Sequence, residues 1–359
     1  MCIRDRIYSW RIFPEPTNPQ EFSWQWEYKG QTYTLEQTLY QSYYNYYQSM
    51  PRYYRCRITG CPENWEEDYF KMFLRVSTKD NTFSILANNL FKLAKEKGLN
   101  QDEMIEMILT FVQTIPYDWE KAELDSVFPE YPYEVLYDNK AVCSGKTFLA
   151  VLLFEELGFG AAMFQFPDQE HIAPAIRCPQ EYSSYNSGYC FAEATSIGHK
   201  IGEIPRMTGD SPAPEARSGI SDFTIGATEY TRLSEPEIYI VGDGLEYKGI
   251  IETRRLAGQI EEAENRLDVL RRELSELKVI LDNQENKVRD LDIKASASYQ
   301  RYKDNSHNQG LYLQYERDYQ EYLKAFQEYR DTLTRYNQKI TDFNRLAGEY
   351  NSLLEDFYR

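Results

Sequence analysis

Three features predict an α+β domain followed by a long antiparallel helical hairpin. An apolar helical run, Thr147 to Phe154, stops near Gly158 and leads into three short runs, 161–166, 171–177 and 188–195, separated by turn residues. Such runs read as strands of a small antiparallel sheet. The last hundred or so residues carry two heptad seams, each longer than four heptads. The chain divides accordingly into 7–80 (a hairpin and helix packing on the core), 81–205 (the central domain), 206–250 (a linker with one possible strand) and 251–359 (a coiled-coil hairpin). Residues 1–6 match the in-frame translation of a common sequencing adapter. The natural start is therefore expected to be missing, and with it any signal or anchor, so no compartment is assigned.

Residues 22 to 35 alternate aromatic and polar side chains around Lys29-Gly30, a hairpin pattern, and the Tyr-rich stretch Leu39 to Tyr54 reads as a helix. Phe83, Leu86, Leu90, Leu93 and Ala94 mark one face of a helix that ends near Gly98. Asn100 with Glu103 three residues on forms a capping box for the next helix, which carries Ile105, Ile108, Phe111 and Val112. A loop from Pro129 to Tyr137 precedes the helix opened by Cys143. Residues 203–236 lose apolar density and carry Pro205, Pro212 and Pro214, while Glu237 to Val241 could form one more strand.

The first seam runs Leu256, Ile260, Ala263, Leu267, Leu270, Leu274, Leu277, Leu281, Val288 and Leu291, with Gln284 as a polar intruder that could fix register. After the breaker 304–310, the second runs Tyr315, Tyr319, Tyr322, Phe326, Tyr329, Leu333, Tyr336, Ile340, Phe343, Ala347, Tyr350, Leu354 and Phe357. Two helices of about 50 residues joined by a short Gly-containing turn fold back most simply on each other. Dimerisation through the same stripes is the alternative.

Lys+Arg 40 against Asp+Glu 57 gives a net charge of -17, and no basic patch interrupts it, which argues against nucleic acid as a partner. No window approaches the length of apolar chain a membrane-spanning helix needs. Five cysteines remain once Cys2 is set aside. They fit one free thiol beside bridges Cys56–Cys61 and Cys178–Cys190, and fit a fully reduced protein equally well. No second pair of Cys or His accompanies Cys56 and Cys61, so a zinc site is not expected.

Three side chains then stand out in chain order: Cys143 opening an apolar helix, His171 in an extended segment, and Glu193 in the next. A thiol attacks an acyl carbon only as thiolate, and a free thiol with a pKa of about 8.5 is mostly protonated at neutral pH. A helix start supplies unpaired N–H groups and the positive end of the dipole, both of which stabilise an anion. His171 would serve as base and acid, and Glu193, costly alone in an apolar strand, would orient it. The bland alternatives are a buried cysteine and a buried, hydrogen-bonded histidine. His199, in a Gly-flanked turn, and His307, in the distal turn, are the rival histidines. Ser144 to Thr147 imitates the end of a phosphate-binding loop, but Lys140 stands where that motif requires glycine. Of the 31 tyrosines, most fall at seam or strand positions; Tyr131, Tyr133, Tyr182 and Tyr185 are candidates for lining a substrate cleft.

Cys143 with Gly145, His171 with Ala173, and Glu193 with Thr195 together resemble the transglutaminase-like superfamily of papain-type cysteine enzymes, in its prokaryotic form. The stretches Phe111 to Tyr117, Pro132 to Leu136 and Ile201 to Pro205 look similar too, so the resemblance covers about residues 80–205. Ala141 stands at the usual Gly position, and the acid is Glu where Asp is commoner. The resemblance implies a catalytic triad of Cys143, His171 and Glu193 and a thioester acyl-enzyme formed on a peptide or glutamine amide. Water would resolve it in a peptidase or amidase, the favoured reading, and a lysine amine in a cross-linker. It implies no metal and no organic cofactor. The competing expectation is a catalytically silent module in a coiled-coil scaffold. Expected partners are a peptide or protein substrate and a coiled-coil partner or second copy.

Overall fold

The computed structural model describes residues 12–358 except 57, 59, 125–127, 205, 209–210 and 213–230. The adapter-like residues 1–6 and much of the expected linker lie outside the described residues. The chain forms two compact units, one ending at Arg255 and the other comprising Leu256–Phe357.

The first unit opens with β1 (Pro19–Tyr28) and β2 (Gln31–Tyr40), paired antiparallel. Lys29 and Gly30 both take positive φ, the mirror-image turn whose twist matches that of the strands it joins. Trp24, Trp26, Tyr33, Leu35 and Leu39 are buried from alternate positions of the two strands. Helices α1 (Gln41–Gln48), α2 (Trp65–Phe73) and α3 (Thr82–Glu96) follow. In α4 (Gln101–Thr114) the Asn100 side chain accepts from Glu103 N–H at 3.0 Å, and the Glu103 carboxylate accepts from Asn100 N–H at 2.9 Å, so the capping box is reciprocal. Short helices α5 (Trp119–Ala122) and α6 (Pro132–Asp138) lead to α7 (Cys143–Glu156). Every residue from Ser144 to Phe154 is buried.

Strands β3 (Ala161–Phe166), β4 (His171–Arg177) and β5 (Tyr189–Phe191) form the sheet on which α7 packs. A small antiparallel sheet of β6 (Arg206–Thr208), β7 (Ser211–Pro212) and β8 (Thr231–Arg232) occupies part of the span expected to be a linker. Next, β9 (Glu237–Gly242) adds the possible strand to the main sheet, whose order is β5-β4-β3-β9, antiparallel throughout. The third expected run, 188–195, is strand only over Tyr189–Phe191. Its partner explains the early stop. Ala192 N–H donates to Pro174 O at 2.9 Å, but proline has no N–H to return, and the ladder ends there. Glu193 therefore sits in an irregular segment just past the sheet. Two disulfides, Cys56–Cys61 and Cys178–Cys190, leave Cys143 as the free cysteine among the described residues.

The second unit consists of most of α8 (Ile250–Asp304) together with α9 (Gln309–Tyr358). Lys294–Glu321, Lys287–Glu328 and Lys339–Glu273 bridge the two helices, and as one residue number falls its partner's rises by nearly the same step. That is antiparallel pairing. On α8 the expected seam faces α9, with Ile260, Ala263, Leu267 and Leu281 buried and Ala295 and Ser298 extending it. On α9 the expected stripe is out of phase over its first half. Tyr319 and Phe326 are exposed, while Asp318, Ala325, Thr332 and Leu346, spaced in sevens or multiples of seven, are buried. The larger rings stack on one another along the helix from Tyr315 through Tyr319 and Tyr322 to Phe326. Among the described residues, no helix is long and apolar enough to cross a membrane.

Candidate active site

Cys143 is the first residue of α7, and Val142 before it is extended, so the leading N–H groups of the helix have no intrahelical acceptor. One turn on, Thr147 Oγ1 donates to Ile172 O at 2.9 Å, tying the helix that Cys143 opens to β4 at the residue after His171. His171 begins β4 opposite Phe166, whose ring stacks on the imidazole with centroids 6.2 Å apart. Its Nε2 lies 3.3 Å from Glu193 Oε2, and its other contact is with the Cys143 side chain. Cys143, His171 and Glu193 thus come together from a helix start, a strand start and the segment past a strand end.

Burial differs sharply among the three. His171 is 3 % exposed and Glu193 0 %, whereas Cys143 is half-buried. Burial alone would push the imidazole down. The Cys143 and Glu193 side chains beside it, with their negative charge, outweigh that and push it up to about 10. For Glu193, burial acts upward and is overcome by the His171 contact and by Thr195, leaving it at about 2. Thr195 donates to Glu193 Oε1 twice, from its N–H at 2.6 Å and from its hydroxyl. The arrangement therefore favours an imidazolium between a carboxylate and sulfur.

Tyr117 joins the site although sequence reasoning gave it no role. The backbone of Pro116–Asp118 pairs with Ala141, Ala141 N–H donating to Pro116 O and Asp118 N–H to Ala141 O, each at 3.1 Å. The phenol is thereby brought beside Cys143; burial and the nearby thiol group push it above its ordinary range. Trp119, mostly exposed, packs against Tyr117 with tilted rings whose centroids are 4.6 Å apart. Ala141 at the expected Gly position is buried, with its Cβ in the core beside Gly145.

Lys146 is 0 % exposed, and its Nζ donates to Gln113 O at 3.0 Å and Ile115 O at 2.7 Å. Burial brings it down to about 8, with Glu193 acting the other way. A lysine so enclosed cannot reach a phosphate, which disposes of the nucleotide-loop imitation. Two of the four tyrosine assignments are also corrected. Tyr131 and Tyr133 are 0 % exposed; Tyr131 donates to Pro51 O, and Tyr133 bonds both the N–H and the carbonyl of Tyr40. They are core residues whose hydroxyls found backbone partners. Tyr185 packs on Phe164 and on Phe166, the ring that stacks on His171, and Tyr182 lies half-buried at the core edge. His199 is buried 3.5 Å from Glu203, and its proximity helps hold Glu193 ionised. Among the described residues, no group of three or more His, Cys, Asp or Glu side chains could hold a metal ion. The chain matches no family model, no curated protein and no solved structure.

Proposed function

We propose that the first unit performs cysteine-dependent acyl transfer on peptide or glutamine amides, with a transglutaminase-like core. The observation that carries this reading is His171, enclosed between Cys143 and Glu193 and held protonated by both. The Cys143 sulfur attacks the amide carbon, and the carbonyl electrons move to oxygen. The Cys143 N–H, at a helix start with no intrahelical acceptor, is the donor to that oxyanion. His171 delivers its proton to the leaving nitrogen as the C–N bond breaks, which leaves a thioester and a neutral imidazole. Water then attacks the thioester carbon, giving its proton to His171 as the C–S bond breaks and restoring the starting pair. A primary amine in place of water would make the enzyme a cross-linker.

The test is covalent trapping with a peptide chloromethyl ketone, read by site-resolved mass spectrometry. An adduct on Cys143 that is lost in Cys143→Ala and slowed in His171→Ala supports the reading. Folded protein that never forms the adduct refutes it and favours a scaffold. Ammonia release from a glutamine peptide, with and without added amine, then separates hydrolysis from cross-linking.

A further inference from the structure

The C-terminal end of α4 is wired to the site from two sides. The Gln113 side chain donates from Nε2 to Glu193 O at 2.8 Å and His199 O at 3.0 Å, and its Oε1 accepts from Gly198 N–H at 3.3 Å. Its own carbonyl accepts from Lys146, which also takes Ile115 O. One residue therefore grips the main chain of the acid with its side chain and the nucleophile's helix with its backbone.

The lysine is the more telling half. Among the described residues no carboxylate pairs with its ammonium, which meets two carbonyls at the negative end of the α4 dipole, an expensive way to fill space that a leucine or methionine would fill. It lies three residues after Cys143 on the same helix, and Ile115, which it holds, is two residues before Tyr117. These bonds span the sulfur's helix, the acid's segment and the tyrosine, while His171 is set by β4. We infer that Gln113 and Lys146 are positioning residues that together set the Cys143–His171–Glu193 geometry, an inference that rests on the acyl-transfer reading.

Lys146→Met and Gln113→Leu test it through iodoacetamide alkylation of Cys143, followed by mass spectrometry across pH, with circular dichroism to give the folded fraction. Misplacing reacting groups by about 1 Å can cost about 100-fold. Each variant should accordingly alkylate about 10- to 100-fold more slowly than the parent protein near pH 6.5. Near pH 10 a thiol ionises unaided, so the rates should come within about twofold. A purely structural role would lower the rate by one factor at every pH, in step with the folded fraction, and would overturn the inference, as would an unchanged profile. Gln113→Leu leaves the Lys146 bonds in place and serves if Lys146→Met does not fold. A parent profile that His171→Ala leaves unaltered would overturn the acyl-transfer reading, and the inference with it. A His171-dependent parent profile that neither positioning variant alters would overturn the inference alone.

Discussion

Replacing Glu193 by glutamine isolates the charge of the acid from its shape. Two unit charges 3.3 Å apart attract by about 5 kcal/mol at an effective dielectric constant of about 20. Dehydration takes back much of this in so enclosed a site, and a net 2 to 3 kcal/mol is a reasonable remainder, corresponding to about 30- to 150-fold in the equilibrium between the thiolate–imidazolium pair and the neutral thiol–imidazole pair. Geometry adds to the loss. Thr195 fills Oε1 from two donors, so an amide that keeps its oxygen there turns its NH₂ towards the imidazole N–H. The assay is the pH profile of Cys143 alkylation by iodoacetamide, resolved by site. In Glu193→Gln the rate near pH 6.5 should fall by about that factor, while the rate near pH 10 should hold. Superimposable profiles for Glu193→Gln and the parent would refute the argument that the carboxylate sustains an imidazolium beside sulfur.

Stability should follow the same pair. His171, raised from 6.5 to about 10, contributes fully below 6.5 and loses its contribution as pH climbs through 10; Glu193, lowered from 4.5 to about 2, contributes fully above 4.5 and loses it as pH falls towards 2. The melting-temperature gap between the parent and the His171→Ala/Glu193→Gln double variant should be widest between 4.5 and 6.5, and a gap that is flat with pH would count against the linkage. Gly145→Ala should destabilise although alanine is the better helix former. Its Cβ would lie 2.7 Å from Glu130 Oε2, 3.0 Å from Val135 Cγ2 and 3.1 Å from Ala141 Cβ. A loss of about 1 to 3 kcal/mol in denaturant titration is expected, and a gain would show that the neighbours yield freely.

What could be read from the sequence was what short-range chemistry decides. Asn100 with Glu103 and Lys29 with Gly30 carry their geometry in adjacent residues, and Cys143 announces a helix start by the apolar run behind it. The residues that escaped notice depend on partners far along the chain. Gln113 meets Glu193 and His199, Lys146 meets Gln113 and Ile115, and Tyr117 reaches Cys143 through the pairing with Ala141. The missing glycine at Lys140 ruled out a phosphate loop from sequence, but only the burial of Lys146 shows what that side chain does instead. The end of β5 escaped because its cause, Pro174, lies on the neighbouring strand. Tyrosine misled twice: counting it as apolar put the α9 stripe out of phase, and its polar handle suggested a cleft where Tyr131 and Tyr133 are sealed in the core. Tyr117 did have one signal, its place in the Phe111 to Tyr117 stretch.

The unequal burial of the three side chains imposes an order on any encounter. Cys143 is the half-buried member of the trio, and the imidazole and carboxylate are enclosed. Under the proposed reaction, an arriving carbonyl would meet Cys143 before it meets the proton donor. In the acyl transfer proposed above, the departing amine would take its proton from this enclosed imidazole.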